Sequence, residues 1–222
     1  HLAPPQNTGH RDCRTRNLLR ILSQGSDTVG RLIYVSTTGV YGDHQGGKVS
    51  EVTPVNPQSE RAKRRVDAEN CLGLWALAHG VILTILRVPG IYAADRLPID
   101  RLQAKTPALL PEEDAYSNHI HSDDLARLVC AAVYHGKPQR IINACDGGET
   151  KMGDYFDEVA DAFQLERPKR LPGTELQKLV SPMLWSFMRE SRRVTNSRLR
   201  ELKTPLRYPS VAHFLKTISR NP

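Results

Sequence analysis

Continuous apolar runs alternate along this chain with stretches whose apolar residues recur at helical spacing. Leu32-Ile33-Tyr34-Val35 and Val81-Ile82-Leu83-Thr84-Ile85-Leu86 are unbroken runs, the pattern of strands covered on both faces. Arg140 to Ala144 reads as a third strand after the His135-Gly136 turn. Asp12 is placed to cap a helix whose inward face carries Leu18, Leu19, Ile21 and Leu22. Asn56-Pro57, a capping residue followed by a proline suited to a first turn, opens a long helix that stops near His79-Gly80. Ser122 caps the clearest helix. Asp123 and Asp124 favour its positive end, and Leu125, Leu128, Val129, Ala132 and Val133 share one face. Thr150 caps another, with Tyr155, Phe156, Val159, Ala160 and Phe163 as its stripe. This alternation predicts an α/β architecture around a mostly parallel sheet. From Pro168 onward the chain turns helical, basic and less periodic, which divides it into 1–167 and a smaller C-terminal region, 168–222.

Composition changes the picture in two ways. The 222 residues can bury a substantial core. The net charge of +7 gathers in Arg61-Ala62-Lys63-Arg64-Arg65 and between Arg189 and Arg200. Neither run interleaves aromatics or carries a nucleic-acid motif, so solvated helix faces or anchors for an anion are expected and nucleic acid is not. No apolar run is long enough to cross a bilayer, and the opening residues lack the order of a secretory signal. Cys13, Cys71, Cys130 and Cys145 are scattered without a CxxC pair. The expectation is a reduced, cytoplasmic protein with no disulfide framework and no metal site.

Four segments, in order, carry a resemblance. They are Val35-Ser36-Thr37-Thr38-Gly39-Val40-Tyr41-Gly42, Pro57 to Glu69, Leu86-Arg87-Val88-Pro89-Gly90-Ile91-Tyr92, and Ile120-His121-Ser122-Asp123-Asp124-Leu125-Ala126. Together they resemble the Ser/Thr-rich strand end with VYG, the helix of the YxxxK pair, the LRxxxxYG segment and the xHVxDxA segment of extended short-chain dehydrogenases/reductases, the NAD-dependent epimerase/dehydratase family. The resemblance covers roughly residues 1–165. It implies a Rossmann-type fold, NAD or NADP as cofactor, a small-molecule substrate such as a sugar nucleotide or other anion, and a possible homodimer. By the same resemblance Ala3, Pro4 and Pro5, at the end of a strand beside the cofactor, belong with Ser36, Pro89, Gly90 and Ile91 in cofactor binding. Thr38, Tyr92, His119, His121 and Arg198 fall on the substrate side.

The family's chemistry uses a tyrosine to move the proton while hydride passes between substrate and nicotinamide, with a lysine one turn later to lower the tyrosine's pKa. The alignment puts Thr37 at the Ser/Thr position, Arg61 at the tyrosine and Arg65 at the lysine. Residues four apart share a helix face, so Arg61 and Arg65 keep the geometry. They do not keep the chemistry: guanidinium stays protonated and cannot shuttle a proton, although it can clamp a phosphate or carboxylate with two parallel bonds. Three explanations stand at this point. The protein binds a cofactor without redox chemistry; it uses another acid or base, with Tyr41, Tyr92, His119 and His121 as candidates; or the arginine pair holds an anionic substrate in an atypical enzyme.

No glycine-rich dinucleotide fingerprint occurs in the chain. If Leu2 to Pro5 end the fourth strand of such a domain, two βαβ-sized units, roughly 60 residues, are expected upstream. That would leave the Leu32–Val35 strand unpaired on one edge. In the C-terminal region Leu179, Val180, Leu184, Trp185 and Met188 mix with Arg189, Arg192, Arg193 and Arg198. Two readings stay open there: a basic cap over an anionic substrate, or an amphipathic helix with its arginines in water.

Overall fold

The computed structural model describes residues 8–25 and 29–218, except the side chain of residue 183. From the amino end come α1 (Cys13–Gln24), β1 (Arg31–Thr37), β2 (Lys48–Val49) and α2 (Glu60–Ala78). Then follow β3 (Ile82–Val88), β4 (Gly90–Tyr92), α3 (Ile99–Gln103), β5 (Ala108–Leu109), β6 (Tyr116–Ser117) and β7 (His119–His121). Next are α4 (Ser122–His135), β8 (Arg140–Asn143), β9 (Thr150–Lys151), α5 (Met152–Ala162) and β10 (Arg170–Leu171). Helices α6 (Gly173–Leu179) and α7 (Pro182–Met188), strand β11 (Arg193–Val194) and helix α8 (Val211–Ile218) complete the order.

The three long apolar runs form one parallel sheet in the order β1-β3-β8. Their continuity has the expected cause, because the sheet is covered on both sides. Leu32 and Tyr34 point to one face and pack with Leu19 of α1, Ala68 and Leu72 of α2, and Leu83 and Ile85 of β3. Ile33 and Val35 point to the other, where Leu128 and Ala132 of α4 meet Leu86, Val88 and Ile142. This is a doubly covered, Rossmann-type α/β sheet. Apart from it, short strand pairs form two-stranded sheets of their own, among them parallel β4–β7 and β2–β11 and antiparallel β6–β9.

Residues after 168 are stitched into both cores. Leu199 and Leu202 join the sheet core, and Val211, Phe214 and Leu215 join a second core with Tyr92, Tyr155, Phe156 and Val159.

Several local expectations are corrected. The long helix starts at Glu60 under a Ser59 cap, whose hydroxyl accepts from the Ala62 N–H at 3.2 Å. Asn56 and Pro57 belong instead to a loop crossing Gly42, with the Asn56 N–H donated to the Val40 carbonyl at 2.9 Å. The cap of α4 is His121, whose Nδ1 accepts from the Asp123 N–H at 3.2 Å; Ser122 is already helical. Thr150 pairs with Ser117 in a strand rather than capping α5. Ile21, Val133 and Phe163 are exposed at their helices' outer edges, because the apolar stripe each helix buries is narrower than its run of apolar residues.

Candidate functional site

A cleft of about 670 Å³ opens at the carboxyl ends of β1 and β3, where ligands bind in open α/β sheets. One wall is the β1 end and the turn after it, from Val35 to Gly39; a second is Val88, Pro89, Gly90 and Ile91; a third is the start of α2, over its first two turns, with Ser59, Arg61, Ala62 and Arg65. Tyr116, Ser117 and Asn118 line the far side, and Phe187, Glu190 and Arg192 of the C-terminal region close it.

Thr37 and the arginine pair therefore share one cavity. The Thr37 Oγ1 accepts from the Gly39 N–H at 3.1 Å, which fixes the hydroxyl at the turn and leaves its own hydrogen for a ligand. Arg65 donates to the Tyr34 hydroxyl at 3.0 Å and is thereby tethered to β1. Burial raises the Tyr34 pKa, and Arg65 partly offsets it. The Arg61 guanidinium lies 4.5 Å over the Phe187 ring. It is exposed, yet the cleft walls crowd it enough that burial, followed by repulsion from Arg65, holds its pKa below the usual arginine range. It remains a cation.

A polar row underlies the cleft. Register places Ser36, Arg87 and Asn143 side by side across the three strands. Ser36 donates to Glu69 of α2 at 2.6 Å, and Arg87 grips the same carboxylate through Nε at 3.2 Å and Nη2 at 2.7 Å. Arg87 also lies 4.8 Å over the Tyr41 ring, and the Tyr41 hydroxyl donates to Asn143 at 2.7 Å. Glu69 is one turn beyond Arg65, so this buried ion pair locks α2 to the two strands that supply the other walls.

Of the remaining described candidates, only Ser36 and Thr38 line the cleft. Ala3, Pro4 and Pro5 lie outside the described residues. Thr38 lines the cleft but is buried, as is Ser36, whose hydroxyl serves Glu69. Tyr92 and His121 sit in an aromatic cluster with Phe214, their ring centroids 5.2 Å apart. Burial raises the Tyr92 pKa and lowers that of His121. His119 is pushed down to about 4 by burial alone, and its Nε2 meets the Ser117 hydroxyl at 3.0 Å, behind the cleft wall. Tyr41 is spent on the polar row. Arg198 donates to the Ile141 carbonyl at 3.0 Å, on the sheet's β8 side. These groups serve the interior because each projects from the side of its strand or turn that faces core.

Sequence reasoning missed Asn118, Phe187 and Glu190, and noticed Arg192 only as part of a basic run. Asn118 clamps the C-terminal segment by its side chain, donating to the Arg192 carbonyl at 2.9 Å and accepting from the Val194 N–H at 2.8 Å. Arg192 donates to the Gly42 carbonyl at 2.8 Å and to Glu190 at 2.9 Å. The order NHIH in the sequence was a signal for the first; no local pattern marks Phe187 or Glu190.

Comparisons with known proteins agree with this fold. Over 141 residues the chain is 28% identical to Protein YeeZ of Escherichia coli strain K12, covering 64% of this chain and 49% of that protein, so it spans about half the length of the curated relatives it matches. A functionally unknown conserved protein from Silicibacter pomeroyi superposes with a TM-score of 0.80 at 26% identity, over 99% of this chain and 76% of the other. The human epimerase family protein SDR39U1, solved with NADPH, has the same fold, with a TM-score of 0.73 at 14% identity over 94% and 72% of the two chains. The family model for the NAD dependent epimerase/dehydratase family matches residues 13–145, more than half the chain and the stretch that supplies three of the cleft's walls. The chain therefore belongs to the NAD-dependent epimerase/dehydratase family.

Proposed function

We propose that this protein binds NAD or NADP together with an anionic small molecule in the cleft, as an epimerase/dehydratase-like oxidoreductase that works without the tyrosine–lysine proton relay. The observation that carries the reading is the placement of Arg61 and Arg65, one turn apart, in the same cavity as Thr37 and the Pro89–Ile91 wall. The lining fits the nicotinamide end of the cofactor. Val35, Val88, Pro89 and Ile91 offer apolar surface, and the Thr37 hydroxyl offers a donor beside it. A Cβ at Gly90 would come 3.2 Å from the His119 ring, so the wall there is kept thin by glycine. When bound, the cofactor supplies the hydride acceptor or donor.

The chain's own residues do the rest. Thr37 orients a substrate oxygen, and Arg61 and Arg65 hold negative charge. The groups considered as substitute acids or bases, Tyr41, Tyr92, His119 and His121, are absorbed by the core. Neighbours of known content include MoeE5 in complex with UDP-glucose and NAD, and a sugar nucleotide suits a basic cleft. A second reading, a cofactor-binding module without turnover, is favoured by the missing tyrosine. The test is hydride transfer followed by absorbance over a panel of sugar nucleotides and aldehydes, using the full-length gene product with Thr37→Ala and Arg61→Ala. Activity unchanged in both variants would sink the site assignment. Cofactor bound without turnover on any substrate would favour the second reading.

A further inference from the structure

Charge balance within the cleft, taken with the proposed reading of an anionic ligand on which this inference rests, singles out one side chain. The Arg61 guanidinium makes no hydrogen bond or ion pair among the described residues, although it is held in a cavity against an aromatic ring. Its contact with Phe187 uses its charge and leaves its five N–H donors unspent. The acid facing it is Glu190, close enough that its charge raises the Arg61 pKa, but Glu190 bonds Arg192 instead, at 2.9 Å. Arg65 presses on Arg61 from the same helix face with like charge. A cation assembled beside another cation, with its platform built and its donors unused, is arranged for a group that comes from outside.

We propose that Arg61 anchors an acidic oxyanion of the bound molecule, a carboxylate or a phosphate, and that Phe187 and Glu190 set its strength. Phe187 fixes the plane of the guanidinium, which pre-organises the two-bond fork that two oxygens of a carboxylate or phosphate accept. Glu190 acts as a brake: its negative charge opposes the incoming oxyanion, and Arg192 holds it in place. The C-terminal segment is thus the specificity-determining wall. Asn118 and the Gly42 carbonyl hold its backbone and Arg192 in register with the helix that carries Arg61.

The test is calorimetric titration of the full-length protein with inorganic phosphate and, separately, with malonate, at constant ionic strength. NADPH binding is followed independently by fluorescence. At least one of the two anions binds, and Arg61→Gln weakens it about tenfold or more, the size of a charge-assisted fork. Arg61→Lys recovers only part of that loss, because it restores charge without the planar fork. Glu190→Gln tightens binding by roughly two- to fivefold, the range of a single partly exposed charge contact. Phe187→Leu, which leaves the Glu190–Arg192 ion pair intact, weakens binding without changing net charge. The preferred anion identifies the source, phosphate pointing to a phosphorylated ligand and malonate to a carboxylic acid. Equal affinity in wild type and Arg61→Gln, or no binding of either anion, overturns the proposal. NADPH binding without oxyanion binding would overturn this inference and leave the cofactor reading standing; oxyanion binding without NADPH would do the reverse.

Discussion

Asp146 gives the sharpest test of the physical account. It is buried at the turn after β8, 4% exposed, with Oδ1 accepting from the Gly148 N–H at 3.0 Å and Oδ2 making no hydrogen bond among the described residues. Burial, with a further push from Asp124, outweighs the Gly148 and Tyr92 contacts and raises its pKa from 3.8 to about 7. The sign follows directly. Below pH 3.8 folded and unfolded chains both hold the proton, so Asp146 costs nothing. As pH rises the unfolded chain releases it first, and stability falls until the folded carboxyl also ionises near pH 7. Three units at about 1.36 kcal/mol each put the full cost on the order of 4 kcal/mol above that pH. Asp146→Asn keeps the shape and the Gly148 bond and removes the charge. At pH 8 the variant is therefore expected to be more stable by several kcal/mol, or about 10 °C in Tm for a chain of this size. The two proteins converge near pH 4. His119 works in the opposite direction: its pKa, lowered from 6.5 to about 4, contributes stability above pH 6.5 that is lost as pH falls. The two effects oppose each other in the whole-protein profile, so the assay is the difference between wild-type and variant urea-unfolding curves from pH 4.5 to 8. A difference that does not grow with pH, or a variant less stable at pH 8, refutes the reasoning.

The remaining predictions concern the scaffold of the cleft. Glu69→Gln leaves the Arg87 cation buried without its partner and should cost about 3–5 kcal/mol, while Glu69→Leu with Arg87→Met should recover most of it. A single-variant loss below about 1 kcal/mol by denaturant midpoint would show the ion pair to be incidental. Gly42 has φ +70° and ψ −162°, a conformation close to glycine-only, and a Cβ there would sit 2.1 Å from the Asn56 carbonyl oxygen. Gly42→Ala should cost at least about 3 kcal/mol and, because the Gly42 carbonyl holds Arg192, should loosen the C-terminal wall as well. Hydrogen exchange at residues 190–195 matching wild type would count against that coupling.

The strands and most helices were legible because burial on two faces writes a continuous apolar run, and burial on one writes a helical stripe. Helix starts were less so. Asn56-Pro57 has the right residues for a start, but the Val40 carbonyl takes the Asn56 N–H, and Ser59 caps instead. His121 displaced Ser122 as a cap for a similar reason, since an imidazole nitrogen can accept the same bond. Family motifs located Thr37, Arg61, Arg65 and the Pro89–Ile91 wall. They could not say that Tyr92, His121 and Arg198 turn away from the cleft, because strand alternation and packing, not spacing, choose the side.

The sequence by itself determined the α/β layering, the family, and the exchange of a proton-shuttling pair for two permanent cations. Each of these is a matter of residue type at short range. The tertiary structure alone decided what faces those cations. Phe187 meets Arg61 126 positions away in the chain, and Asn118 and Gly42 fix the segment that brings it there. Such contacts follow from long-range closure of the chain around a core, which leaves no periodicity in the sequence to read.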